Sequence, residues 1–246
     1  KHLPVLINVI NQTGGVAGSN GLGYAANQPD DGYTLVGLSE SNVTAAVQGG
    51  WDKKFDFWYP FIVGGSPDLI SVPADSPHDS LTDLIDDAKA APGTIPAPGQ
   101  EAAIAGEVAL VVTSLAEQAA LIEGGQLKPL AMLTPDSVEI AGQTVPSAFD
   151  SYAGLADVLP LKQAIGFAVH DSAPDTVKTT LSEAFEKAMA SQTVADWAKA
   201  NNYDIGGQYG EEAQALFANL ESTFAYTLKD LGAAKVMPED LGIEKP

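Results

Sequence analysis

Three times along this chain a short apolar run ends in glycines or small hydroxyl residues and then becomes a helical pattern. Val5 to Ile10, within a strand-like Pro4 to Ile10, leads into Asn11-Gln12-Thr13-Gly14-Gly15-Val16-Ala17-Gly18 and a helix ending near Asn27. Tyr33 to Leu38 leads into Ser39-Glu40-Ser41-Asn42 and a helical turn from Val43 to Val47. Val108 to Val112 leads into Thr113-Ser114, where Ser114-Leu115-Ala116-Glu117 reads as a capping box opening a helix to Glu123. Strands that alternate with helices predict an α/β architecture with mostly parallel sheets. They also predict helix N-termini, with unsatisfied amides and partial positive charge, gathered where strands end.

Further elements fill in this frame. Phe61 to Gly65 and Leu69 to Val72 read as strands around a Ser66-Pro67-Asp68 turn, and Leu127 to Leu133 and Ile165 to Val169 as two more. Ser80-Leu81-Thr82-Asp83 is a second capping box, whose helix is expected to stop at Pro92-Gly93. Pro174 leads a helix with Val177, Leu181, Ala184, Phe185, Ala188 and Met189 on one stripe. A last helix, Glu211 to about Lys229, is expected to turn Leu216, Phe217, Leu220, Phe224 and Leu228 inward before Gly232 ends it. The one compositional break is Ala91 to Gly106, rich in Pro, Gly and Ala.

Composition removes whole classes of function. With 32 acidic and 12 basic residues the net charge is -20, so nucleic acid and anionic lipid are excluded as partners. Every basic residue is lysine, so no guanidinium fork holds a ligand. There is no cysteine for thiol or Cys-zinc chemistry. Lys1 to Ile10 lacks the cleavage pattern of a signal peptide. His2, His78 and His170 stand far apart beside turn residues and are expected to be exposed loop histidines, and the acidic groups Asp83/Asp86/Asp87 and Asp52/Asp56 to be solvated surface, so no metal or cofactor is expected. Gly21-Leu22-Gly23-Tyr24-Ala25-Ala26 matches Gly-x-Gly-x-x-Ala, with Glu40 near the ribose-binding position, which sets an alternative: an NAD-dependent oxidoreductase with a Rossmann-like site at Gly21 to Ala26. Against it, Gly21 lies too far beyond the first strand for its amides to meet a pyrophosphate.

Several stretches resemble a known family. Asn11 to Gly15, Pro29-Asp30-Asp31-Gly32-Tyr33-Thr34-Leu35, Val63 to Pro73, Asp83 to Gly93, Gly124 to Ala131, Gly166 to Val169 and Ala188 to Ser191 are similar, in order, to the solute receptors of tripartite tricarboxylate transporters, the TctC or Bug type. The resemblance implies a two-domain periplasmic-binding-protein-like (type II) α/β fold with flanking helices and a two-strand hinge. Domain I would comprise residues 1–72 and 165–246, and domain II residues 73–164, shortened near Gln100-Glu101. It implies a periplasmic protein that is no enzyme, a monomer that closes over a small organic acid (a di- or tricarboxylate, amino acid or aromatic acid) and delivers it to membrane permease subunits. Carried over by position, the ligand-binding residues are Gly14, Gly15, Val16 and Ala17, then Ser39, Glu40, Ser41 and Asn42, with Ser66, Thr113 and Ser114. The chain departs from the family in having no further strand and glycine loop ahead of Lys1, Ala17 for a common glycine, Ala109 for a common aspartate, and an extra residue at Asp30-Asp31. Glu40 and the net charge oppose an anion. Either short-range amide contacts outweigh a field screened beyond about 8 Å, or Glu40 meets an amino group on the ligand.

Overall fold

The computed structural model describes residues 3, 5–91, 109–157 and 163–246. The expectations on His2, Pro4, Val108, the helix stop at Pro92-Gly93 and the shortening near Gln100-Glu101 lie outside the described residues. The strands are β1 (Val36–Leu38), β2 (Trp58–Gly65), β3 (Asp68–Pro73), β4 (Val111–Ser114), β5 (Leu127–Met132), β6 (Val138–Ile140), β7 (Gln143–Val145), β8 (Ile165–His170) and β9 (Asp204–Ile205). The helices are α1 (Ser19–Ala26), α2 (Leu81–Ala90), α3 (Leu115–Glu123), α4 (Ala148–Ser151), α5 (Asp175–Met189), α6 (Gln192–Ala200) and α7 (Gly210–Asp230). The chain divides into two compact units, one of Lys1–Gly64, Ala164–Trp197 and Ile205–Pro246, the other of Gly65–Gln163 and Ala198–Asp204.

In the first unit the sheet order is β1-β8-β2-β9. β8 runs antiparallel to both β1 and β2. In the second unit β3 runs antiparallel to β4 on one side and β5 on the other. The α/β class stands, but the expected mostly parallel pairing is corrected. β8 and β3 each run against two neighbours that are parallel to each other, and hydrophobic periodicity carries no strand direction. Beside β2, Gly166 is required by close approach, since a Cβ there would lie 1.9 Å from the Phe61 carbonyl oxygen.

The first unit's core joins α1, β1, β2, β8 and α7 through Leu22, Val36, Leu38, Phe55, Trp58, Ile62, Ala168 and Phe217. A neighbouring cluster centres on Phe61, which stacks on Phe167 and packs with Leu181 and Phe185 of α5, as the stripe predicts. On α7 the stripe is corrected at one position. Leu216 is 37% exposed, while Glu221 takes a place on the buried face at 6%. Residues 217, 221 and 225 recur at four-residue spacing and all face inward, and Leu216 lies about 100° off that line. The second unit's core is Leu69, Val111, Leu115, Ile122, Leu127 and Met132, with the β6–β7 hairpin adding Ile140 and Val145.

The expected buried strand at Pro4 to Ile10 does not form over its described residues. Val5, Leu6, Ile7, Val9 and Ile10 are 51–95% exposed. A strand is stabilised by a hydrogen-bonded neighbour, and Val5 to Gln12 make no backbone hydrogen bond among the described residues.

Candidate functional site

The glycine-rich loop of the first unit is built around backbone that side chains disfavour. Gly14, Gly15 and Gly18 have φ of +89°, +78° and +73°, and Ala17, a non-glycine residue, is held at +49°. Gly15 has a second constraint, since a Cβ there would lie 2.4 Å from Ser19 Oγ and 2.7 Å from the Asn20 amide. The loop winds through one 3-10 turn, Val16–Gly18, directly into α1. No side chain caps either the turn, at Gly15, or the helix, at Gly18. Main-chain donors at the start of a helix are left without side-chain partners, on exposed glycines.

The second segment is tied to the first. Asn42 Nδ2 donates to the Ala17 carbonyl at 2.8 Å, and Asn42 Oδ1 accepts from the Ser39 amide at 2.7 Å. Ser39 and Ser41 hydroxyls share a hydrogen bond at 2.8 Å. Glu40 opens the 3-10 turn Glu40–Thr44, and its Oε2 accepts from the Ala164 amide at 3.0 Å, so this carboxylate anchors the approach to β8. The loops of Gly14 to Ala17 and of Ser39 to Asn42 are therefore one assembly. Its neutral groups are the main-chain amides and the Ser39–Ser41 hydroxyl pair, a donor set suited to a carboxylate.

In the second unit Ser66, Thr113 and Ser114 also come together, but their hydroxyls serve the start of α3. Ser66, wholly buried, accepts from the Ala116 amide at 2.9 Å. The Leu115 amide donates to the Pro67 carbonyl at 2.8 Å. Ser114 Oγ accepts from the Glu117 amide while the Glu117 carboxylate reaches back to the Ser114 amide, the reciprocal capping box read from the sequence. The Thr113 hydroxyl also donates to Glu117. Three N-terminal amides of α3 are satisfied internally, unlike the start of α1. At Ser80 only half the expected box forms, with Ser80 Oγ accepting from the Asp83 amide.

The dinucleotide alternative is corrected by position. Gly21 to Ala26 lie inside α1 and not where a strand hands over to a helix, so the motif forms no strand-to-helix phosphate-binding turn. The histidine expectation is corrected at His170. It is buried at 7% exposure, lies 3.0 Å from the Ala25 carbonyl and packs edge-on against Phe57 and Trp58. His78 is held between Ser76 Oγ at 3.1 Å and Asp87 at 2.9 Å. Asp56 pairs with Lys54, and among the described residues no three His, Asp or Glu gather as metal ligands.

Sequence reasoning missed Glu221. Its Oε1 accepts from the Phe55 amide at 2.9 Å, and burial pushes its carboxyl up to about 7 against that hydrogen bond, with Asp56 raising it further and Lys54 opposing. No local signal marks it, because Phe55 lies 166 residues away.

No known protein family matches the chain, and no curated protein does. Solved structures do share its fold. A TctC solute-binding protein from Polaromonas is 20% identical over 93% of this chain and 88% of that one, with a TM-score of 0.68. A Rhodopseudomonas palustris protein, Rpa4515, solved with adipate, is 18% identical over 89% and 85%, with a TM-score of 0.71. MatC from Rhodopseudomonas palustris, with bound malate, is 13% identical over 85% and 84%, with a TM-score of 0.72. At these identities the likeness establishes the periplasmic-binding-protein fold.

Proposed function

We propose that this chain is an extracytoplasmic solute receptor of the TctC or Bug type, which captures a small organic acid, hands it to membrane permease subunits and catalyses no reaction. The observation that carries this reading is the assembly of Gly14 to Gly18 with Ser39 to Asn42, in which a helix start stripped of side-chain caps is held by Asn42. A chain without arginine recognises a carboxylate most economically through main-chain donors, whose dipoles are fixed before the ligand arrives. The fold is that of proteins solved with adipate and malate, which supports a dicarboxylate as the ligand class.

The test is titration calorimetry of the 246-residue chain with malate, succinate, adipate, citrate and aspartate. The expected result is saturable binding of at least one dicarboxylate, with its monoamide bound at least tenfold more weakly, about 1.4 kcal/mol. Silence from every acid contradicts the proposal, as does a melting temperature raised by NAD and by none of the acids.

A further inference from the structure

β1 and β8 stop pairing just short of the point where the chain changes unit. Their ladder ends with Leu38 opposite Gly166, and two positions further on it would set Glu40 opposite Ala164. The main chain has by then left the strand for the 3-10 turn Glu40–Thr44, and the Glu40 side chain takes over. Its Oε2 accepts from the Ala164 amide at 3.0 Å. Ala164 is 4% exposed, and a buried amide left without an acceptor is destabilising.

Ala164 is also where the first unit resumes after the second ends its long segment at Gln163. The other passage, from Gly64 to Gly65, lies close to it in the sheet, since Gly64 pairs with Ile165. On its own side the second unit fixes Gln163 firmly. The Gln163 amide donates to the Ser66 carbonyl at 3.1 Å, and a Cβ at Gly65 would lie 1.5 Å from the Gln163 carbonyl oxygen. The passage is held by main chain before the Gln163–Ala164 peptide and by the Glu40 carboxylate after it.

We propose that Glu40 is a positioning residue, through which an acid bound on the loops of Gly14 to Gly18 and Ser39 to Asn42 firms the passage at Gln163–Ala164. The inference rests on the reading of those loops as the carboxylate site. Glu40 stands between the paired hydroxyls of Ser39 and Ser41 and two residues before Asn42, whose side chain holds Ala17. A ligand that immobilises this turn immobilises the carboxylate with it. The bond to Ala164, made or broken, is then a two-state element that the ligand biases. By linkage the effect is mutual, so the factor by which the ligand protects the Ala164 amide is the factor of affinity lost when the acceptor is removed. This role also accounts for a carboxylate inside an anion site, because its Oε2 is committed to a main-chain donor.

The test joins calorimetry with amide hydrogen exchange on the 246-residue chain, Glu40→Ala and Glu40→Gln, using malate and aspartate. Saturating the parent with malate is expected to slow exchange at Ala164 about tenfold more than at Ala168 and Val169 of the same strand. Glu40→Ala is expected to lose that extra protection and to bind malate and aspartate more weakly by the same factor. Glu40→Gln keeps an acceptor oxygen and is expected to recover most of both. Equal protection of Ala164 with and without acid in the parent overturns the inference, and this outcome is readable even if Glu40→Ala does not fold. Tighter binding by Glu40→Ala overturns it too, as the carboxylate would then only repel the ligand, and so does a loss confined to aspartate, which would give Glu40 to a ligand amino group. If the parent binds neither malate nor aspartate nor any other acid, the receptor reading falls and the coupling with it. If the parent binds and Glu40→Ala binds as tightly, the coupling alone falls.

Discussion

Asn42 Nδ2 donates to the carbonyl of Ala17 at 2.8 Å, twenty-five residues back along the chain. Ala17 is a non-glycine residue held at φ +49°, and the donation fixes it there while the amides beside it remain uncapped. The amide's other end accepts from Ser39, so one side chain sets the spacing of both loops. Asn42→Ala is expected to weaken carboxylate binding at least tenfold while lowering stability by only about 1 kcal/mol. Calorimetry paired with chemical denaturation separates the two effects. A variant that binds as tightly as the parent removes Asn42 from the account.

Gly15→Ala tests the loop backbone itself. The new methyl meets Ser19 Oγ and the Asn20 amide at a φ of +78°, a combination that costs about 1–3 kcal/mol. Ligand binding is expected to vanish while the far-UV circular dichroism of the folded protein is kept. Gly23→Ala, where nothing lies within 4 Å of the added carbon, is the matched control and is expected to bind normally.

Ser66 and Ser114 are expected to behave oppositely to Asn42. Ser114→Ala removes a cap, at about 1 kcal/mol of stability. Ser66→Ala leaves the Ala116 amide without its acceptor, at about 1–3 kcal/mol. Denaturation midpoints are expected to fall in both. A large loss of affinity with unchanged stability would instead give these hydroxyls to the ligand.

Salt is expected to act on binding in the direction opposite to that of a lysine- or arginine-lined site. The protein's net charge of -20 repels an anionic ligand, and the screening length shrinks from about 8 Å at physiological salt to about 3 Å at 1 M. Contacts to main-chain amides at hydrogen-bond distance are little affected. Affinity for malate is therefore expected to rise with sodium chloride, and a steep fall would reveal a cationic side chain in the site.

Glu221 makes stability depend on pH in a defined window. Its carboxyl is raised from 4.5 to about 7, chiefly because burial disfavours the charge, so the folded state holds a proton that the unfolded chain releases. The contribution is complete below pH 4.5 and is lost as pH rises through about 7, amounting to about 3 kcal/mol. Glu221→Gln keeps an acceptor for the Phe55 amide and removes the titration. The difference in unfolding free energy between parent and variant is expected to shift in favour of the variant by that amount between pH 4.5 and 8. A difference that stays constant over the range contradicts the assignment.

What the sequence disclosed divides along the range of the interactions involved. The Ser114–Glu117 box spans three residues and forms as read, and the α5 stripe, with Leu181 and Phe185 buried, follows from periodicity alone. The two linked loops are visible in the sequence as runs of glycines and hydroxyl residues, but the bond from Asn42 to Ala17 is not, since no local pattern encodes a tie across twenty-five residues. Strand direction and the burial of Glu221 against Phe55 are both settled by distant parts of the chain. The Gly21-x-Gly23 pattern misleads for the same reason, as its meaning depends on whether the helix begins before it or at it.

The most direct test of the account is an amide-resolved NMR titration of the 246-residue chain with malate, or with whichever dicarboxylate binds most tightly. The account predicts that the amide resonances of Gly14, Gly15, Ala17 and Gly18 move on saturation, following the calorimetric dissociation constant. Tight binding that leaves those four resonances in place would contradict it.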